Sequence, residues 1–241
     1  MFSWRQQTGR VSWAFTDRAG GGSTGAFDSL NLGGHVGDDP VTVERNRELV
    51  ATSMGVDREH LLFMQQCHGV DVLVAPGPWG GPAPAPADGV VTATAGLALA
   101  VLVADCTPVL LADVEAGIVG AVHAGRPGMT AGIVAVAVER MRELGAHHLR
   151  AVVGPSICGR CYEVPEEMRA AAATVTPEAS ARSWTDTPAI DVAAGVVAQL
   201  AANDVAVQWV PGCSREDERF FSYRRDGRTG RYAGVVVAGA A

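Results

Sequence analysis

The sequence predicts an α+β fold, a single domain over residues 1–241 built of mixed β-sheets flanked by helices. Strand-like apolar runs outnumber helical segments, and the links between them mix hairpin with crossover lengths, which suits mixed sheets better than a doubly wound one. A further observation sets the scale. With 48% apolar and 19% charged residues, the 241-residue chain has a globular composition and can bury a substantial core.

At the N-terminus, "MFSWRQQTGRVSWAF" lacks a basic stretch leading into an apolar one and does not read as a signal peptide. Residues 17–40, "DRAGGGSTGAFDSLNLGGHVGDDP", are dense in glycine and small polar side chains and read as a long loop, of the kind that is functional or mobile. The loop has neither the G-K-[ST] end of a P-loop nor the G-x-G-x-x-G spacing of a dinucleotide site. Asp39 is then expected to cap a helix with Pro40 at its first position, running through "VTVERNRELVATSM" to Gly55. "HLLFMQQ" and "VDVLVA" read as short strands on either side of "CHG". "PGPWGGPAPAPADG" (76–89) has the composition of a linker, yet strand-like runs continue on both sides, so a surface excursion within one domain is expected.

Beyond it, "VVTAT", "LALAVLVADC", "VLLADV" and "GIVGAVHAG" read as strands. The spacing of Val134, Val138 and Met141 predicts an amphipathic helix near 130–144. "LRAVVGPSI" is a strand running into a turn, and the alanine-rich segments 165–174 and 188–202 are expected to be helical. "VAVQWV" and "RYAGVVVAG" are the last strands, and no internal repeat is apparent.

Charge and cysteine usage narrow the function classes. A net charge of −7 argues against nucleic acid as the main partner, though local arginines can still serve a small anion. "LALAVLVA" is far shorter than the roughly 18 residues of a membrane span, so no membrane partner is expected. Five cysteines, an odd number, fit reduced thiols and a cytoplasmic location better than a disulfide framework. Nothing in the sequence specifies an oligomeric state.

Three of the apolar runs end in soft metal ligands. "LLFMQQCHG" ends in His68, "LALAVLVADCTP" in Cys106 and "GIVGAVHAGRPG" in His123, each just before a turn-forming Gly or Pro. If these strand ends converge, two imidazoles and a thiolate make a zinc-type set with a fourth position open to water or substrate. The separations of 38 and 17 residues are unlike the tight pairs of zinc ribbons, so spacing leaves a second reading open, three unrelated packed or polar-paired side chains. Cys67 competes with His68. Adjacent strand residues face opposite ways, and Cys67 is read as a small buried hydrophobe.

Over nearly its full length the chain resembles the YfiH-like family, also called laccase-domain or polyphenol-oxidase proteins. The resemblance rests on "LNLGGHVGD" (30–38), "NR" (46–47), "QCHG" (66–69), "ADG" (87–89), "ADCTPVLL" (104–111), "VHAG" (122–125), "GPSICGRCYEV" (154–164) and "FFSYRRDGRTGR" (220–231). It implies a layered α/β/β/α arrangement, metal ligation by His68, Cys106 and His123, and Zn2+ rather than Cu2+ as the ion. The chain departs from the family at "HAGRPG", where H-A-G-W-R-G is usual, so that the arginine stands one place earlier, at Arg126. Cys158 also replaces a glycine, which creates a C-x-x-C pair with Cys161. The pair reads more simply as two reduced thiols in a turn than as a redox or second zinc site, which would need a partner pair. It is not expected to bind the ion held by His68, Cys106 and His123.

The activity that the resemblance implies is phosphorolysis of adenosine, inosine and methylthioadenosine, with some deamination of adenosine. Purine nucleosides and phosphate are then the partners. Arginines suit the phosphate because their planar forks grip oxyanions, and Arg47, Arg126, Arg224 and Arg225 are the candidates. Ser23, Asn31 and His35 lie in "GGSTG" and "NLGGH", whose amides are candidates for an anion nest. Asp105 is a candidate proton shuttle, or else a residue that fixes the turn before Pro108. His60, His147 and His148 carry no motif and are expected at the surface. Three rival classes are a cysteine hydrolase with Cys106 as nucleophile and His123 as base, a multicopper oxidase, and an editor of cell-wall precursors or a regulatory protein. Six histidines with no H-x-H pair cannot supply several coppers.

Overall fold

The computed structural model describes residues 1–239. The chain opens with a hairpin of β1 (Phe2–Thr8) and β2 (Val11–Thr16), where the polar run of Arg5, Gln6 and Gln7 on an exposed edge hides strand alternation from sequence inspection. After the 17–39 loop comes α1 (Pro40–Met54), whose first turn is closed by Asp39 accepting from the Thr42 amide at 3.0 Å and whose end is closed by Gly55 at φ 78°. The expected helix is thus found with its expected caps.

β3 (Leu61–Phe63) and β4 (Val72–Val74) are shorter than the apolar runs suggested, because the chain turns away before the "CHG" segment. Next follow β5 (Gly89–Thr92), β6 (Ala98–Val103), β7 (Thr107–Asp113) and β8 (Ile118–Ala124). The predicted 130–144 helix is two helices, α2 (Arg126–Ala131) and α3 (Ile133–Glu143), divided at Gly132 with φ 92°. β9 (Leu149–Val153) leads to α4 (Glu166–Val175) and a small hairpin of β10 (Ser180–Arg182) with β11 (Pro188–Ile190). Residues 188–190 were expected to be helical. They pair as a strand instead, and α5 (Val192–Ala202) starts only where Asp191 caps it through the Ala194 amide. β12 (Ala206–Trp209), the short α6 (Tyr223–Asp226) and β13 (Tyr232–Ala238) complete the fold.

The strands form a five-stranded sheet in the order β1-β2-β13-β6-β3 and a six-stranded sheet in the order β12-β9-β7-β8-β5-β4. Both are mixed: β3 runs parallel to β6, β4 to β5 and β12 to β9, and the remaining pairs are antiparallel. Because β4 and β5 are neighbours in one sheet, the proline-rich excursion between them stays within it, as expected.

Strand alternation sorts the core into three layers. On β6, Leu99, Val101 and Val103 face the six-stranded sheet, while Ala98, Ala100 and Leu102 pack with Val50, Ala51 and Met54 of α1. On β7, Leu110 and Ala112 point into the space between the sheets, and Val109 and Leu111 point outwards to Ile133, Val138 and Val196 of α3 and α5. The result is the layered α/β/β/α arrangement. No helix among the described residues is long and apolar enough to cross a membrane.

The β7–β8 hairpin is locked by a buried carboxylate. Asp113 accepts from the amides of Glu115 and Ala116 with one oxygen and of His147 and His148 with the other, at 2.8–3.1 Å. Burial opposes its ionisation, but those four amides bring its pKa down to about 2. A depressed carboxyl stabilises the fold above its unfolded pKa and stops doing so as pH falls through the folded value. Asp113→Asn is therefore expected to cost about 2 kcal/mol in urea unfolding at pH 7. The gap to the wild type should narrow steadily as pH falls from about 4 towards 2; a gap that does not change with pH would assign the cost to lost geometry rather than charge.

Candidate metal centre

His68, Cys106 and His123 converge. Their ligand atoms all lie within 4.8 Å of one another, and the rings of His68 and His123 meet edge to face with centroids 4.8 Å apart. Each arrives by a different route. His123 is the penultimate residue of β8 and is buried. Cys106 sits in the short link where the chain leaves the five-stranded sheet on β6 and enters the six-stranded one on β7, with Asp105 at φ 94° making the turn. His68 lies on a loop beyond β3, also left-handed at φ 63°, so strand alternation does not govern it. Gly125 makes the approach possible. A Cβ there would stand 2.7 Å from His68 Cδ2 and 3.2 Å from Cys106 Sγ.

The residue that organises the centre is Asp88, immediately before β5, which sequence inspection passed over inside "ADG". It is fully buried. Its Oδ1 takes the His123 Nδ1 contact at 2.7 Å and the His68 amide at 2.9 Å; its Oδ2 accepts from the amides of Cys67 and Gly69 and from the Cys67 thiol. The three successive amides of 67–69 form a nest around this carboxylate, which accounts for the left-handed His68 between them. Asp88 thereby places two of the three candidate ligands and directs Nδ1–H of His123 to itself, leaving Nε2 to face Cys106 and His68. Burial opposes its ionisation, yet hydrogen bonds led by His123 hold its carboxyl well below the usual carboxylate range.

The same contacts tune the ligands. Burial alone would raise the Cys106 thiol, but His123 and then His68 overcome it and bring the pKa down to about 6. Burial also disfavours a charged His123, and the Cys106 sulfur with the Asp88 carboxylate outweighs that, pushing the imidazole up to about 9. Taken alone, Asp88, His123 and Cys106 resemble the base-activated thiol of a cysteine hydrolase. His68 does not belong to that pattern. A second imidazole with Nε2 3.7 Å from the same sulfur has no task in such a triad, whereas two imidazoles and one thiolate are a soft donor set that fits zinc with one position open.

The centre opens into a cavity of about 590 Å³, within the range of small-ligand sites. Arg126, Arg224 and Arg231 line it together with His35 and Asp105. Arg224 lies over the Tyr162 ring at 5.0 Å and ties one guanidinium nitrogen to the Glu163 carbonyl. Arg231 spends Nη1 on the carbonyls of Thr229 and Gly230. Nothing local to the 220–231 segment that it ends marks Arg231 as a cavity residue. Asp105 is saturated: Ser214 and Ser222 hydroxyls each donate to Oδ1 at 2.6 Å, and the Arg224 amide donates to Oδ2 at 2.6 Å. This geometry is that of a turn clamp more than a proton shuttle. Burial, then Arg231 and Arg47, lower the His35 pKa, so that imidazole is neutral near pH 7.

Other expected site residues do not line this cavity. Arg47 donates to the Leu32 carbonyl, stacks on Phe63 at 4.3 Å and faces a neighbouring cleft. Arg225 is committed to the Ser214 and Phe220 carbonyls and to Asp226. Ser23 and Asn31 are buried on Asp38, and Asn31 also accepts from the amides of Gly33 and Arg231. The Gly22 and Gly33 amides are spent on Asn46 and Asn31 side chains rather than left for an anion. Cys67 corrects another expectation: it is exposed, not buried, and its thiol donates to Asp88.

A family described as multi-copper polyphenol oxidoreductase laccase matches residues 12–239. Among curated proteins, the chain is 57% identical over 234 residues to "Purine nucleoside phosphorylase ORF3" of Streptomyces griseus, covering 95% of each. It is 36% identical to "Purine nucleoside phosphorylase YfiH" of Escherichia coli, covering 97% of this chain and 96% of that one. A crystal structure of a Neisseria meningitidis protein superposes with a TM-score of 0.86 at 35% identity, covering 97% of this chain and 96% of that chain.

Proposed function

The chain belongs to the multi-copper polyphenol oxidoreductase laccase family, and we propose that it acts within it as a purine nucleoside phosphorylase, as the names of its relatives suggest, and that its two-imidazole, one-thiolate donor set makes it zinc-dependent. The observation that carries this reading is a single cavity holding a His68–Cys106–His123 donor set together with three arginines, Arg126, Arg224 and Arg231. Copper oxidation is disfavoured by the same inventory. Of six histidines only His68 and His123 belong to a cluster of metal-type ligands among the described residues.

Zinc held by His68, Cys106 and His123 would supply a Lewis acid to a substrate oxygen at its open position. The chain does the rest. Arg126, Arg224 and Arg231 bind phosphate through the guanidinium groups that they leave towards the cavity. Asp105, clamped by Ser214 and Ser222, holds the Arg224 backbone in place. Asp88 keeps His123 in one tautomer. In the reaction a phosphate oxygen bonds to C1′ of the ribose. The C1′–N9 bond breaks with its electron pair passing to the purine, and the proton lost by hydrogen phosphate balances the one that the free base gains.

The expected products from inosine are hypoxanthine and ribose 1-phosphate, formed only with phosphate present. Free ribose at every phosphate level would make the protein a nucleoside hydrolase. Arg126→Ala and Arg231→Ala are each expected to raise the KM for phosphate by about 10-fold or more, the worth of one charged hydrogen bond, with little change in nucleoside KM. Adenosine deamination is a second reading of the same donors. Its proton carrier would be Asp105, which already accepts three hydrogen bonds, so phosphorolysis is the better-supported reaction.

A further inference from the structure

We propose that the protein carries a second, structural zinc site built by Cys158, Cys161, Cys213 and Glu216. The four ligand atoms lie within 4.8 Å of one another, on two turns about 50 residues apart in sequence. Sequence inspection set the C-x-x-C pair aside for want of a partner pair; the fold provides one, with the same spacing, in Cys213-Ser214-Arg215-Glu216. Both turns close alike. The amides of Cys161 and Tyr162 donate to the Cys158 carbonyl, and those of Glu216 and Asp217 donate to the Cys213 carbonyl. A parallel bridge between Ser156 and Cys213 fixes the two turns side by side, and the Cys158 amide points at Cys213 Sγ from 3.5 Å.

The donor chemistry selects the ion. Three thiolates and one carboxylate form a soft set suited to zinc and poor for magnesium or calcium. Bonds of about 2.3 Å to a tetrahedral zinc place sulfurs roughly 3.8 Å apart, so the cluster needs only a small contraction. Glu216 is already oriented: its Oε1 accepts from Trp184 Nε1 at 2.9 Å and from the Cys161 thiol at 3.1 Å, so this oxygen already faces the sulfurs, and Arg160 stacks on that indole at 4.4 Å. Arg160 and Arg215 stand near Glu216 and offset the negative charge that four anionic ligands bring. With four protein ligands the site has no open position, which marks it as structural rather than catalytic.

Its position gives it a task. One turn continues into Ile157 and Tyr162 of the cavity wall, and the other carries Ser214, which donates to Asp105 beside Cys106. An ion here staples two walls of the cavity together from behind.

Elemental analysis of the full chain, purified with reductant and without chelator, is the test. The expected content is two zinc ions per chain, falling to one in the Cys158→Ser/Cys161→Ser double variant. Should that variant aggregate, cobalt(II)-loaded wild-type protein decides, because charge-transfer intensity counts thiolates. Four Co–thiolate bonds per chain are expected, three here and one at Cys106. A zinc content that the double variant leaves unchanged, or intensity from a single thiolate, would overturn the site. So would fewer than five free thiols in the denatured chain, since that would mean a disulfide. None of these outcomes depends on which nucleoside reaction the cavity performs.

Discussion

Cys106→Ser is expected to remove one zinc ion per chain and nearly all turnover while leaving the fold intact. The serine hydroxyl is nearly isosteric but stays protonated near pH 7 and is a poor zinc ligand. Losing the Lewis acid forfeits about 4 kcal/mol of transition-state stabilisation, or roughly a thousandfold in kcat. With both proteins stripped of metal, urea unfolding should differ by less than about 1 kcal/mol, because Cys106 only borders the core between the sheets. The same variant would also inactivate a cysteine hydrolase, so dialysis of the wild type against a strong chelator separates the two. The zinc enzyme loses activity and regains it with added zinc. A hydrolase with a thiolate nucleophile would keep its activity in chelator and lose it on adding zinc, which would occupy the thiolate.

Asp88→Ala should have the largest effect on the protein as a whole. Five donors converge on this buried carboxylate, three of them backbone amides, and alanine leaves His123 Nδ1 buried without a partner and the half-buried 67–69 turn without its anchor. Breaking such a buried ionic network costs about 3–5 kcal/mol, enough to threaten folding of a chain of ordinary stability. Asp88→Asn is the more informative variant. Its amide oxygen can serve part of the 67–69 nest, but it cannot carry the charge that holds His123 Nδ1–H. Metal affinity should fall 10–100-fold, read by zinc competition with a chromophoric chelator. The sign with pH follows from the depressed Asp88 pKa: its stabilisation is present above the ordinary carboxyl range and is lost as pH falls below it. Accordingly the stability gap between wild type and Asp88→Asn should close in acid. If Asp88→Asn bound zinc as tightly as the wild type, the carboxylate would be a support for the loop alone.

What could be read from the chain itself follows short-range physics. The cap at Asp39, the Gly55 stop and the apolar runs of β6 to β9 are local signals, and each element formed where they placed it. The convergence of His68, Cys106 and His123 was legible for the same reason, since each follows an apolar run and precedes a turn residue. Elements whose pattern is masked by exposure were missed. β1 carries Arg5, Gln6 and Gln7 on an edge, and β11 hides in an alanine-rich stretch whose helix starts only at the Asp191 cap.

Tertiary structure decided everything that depends on which distant groups share a small volume. Arginines illustrate this best, because a guanidinium reaches far and its charge says nothing about direction. Arg47 turned to Leu32 and Phe63 and Arg225 to Asp226, while Arg231 came to line the cavity. Asp88 gained its role only because loop 67–69 and β8 close over it; in the sequence it is one of two aspartates before a glycine, and nothing local separates it from the other, Asp226. Cys213 and Glu216 met the Cys158–Cys161 turn because the chain pairs Ser156 with Cys213 across more than 50 residues. Residue type and local pattern set what each side chain can do. Burial and proximity, which arise only on closing those long loops, set which of them do it together.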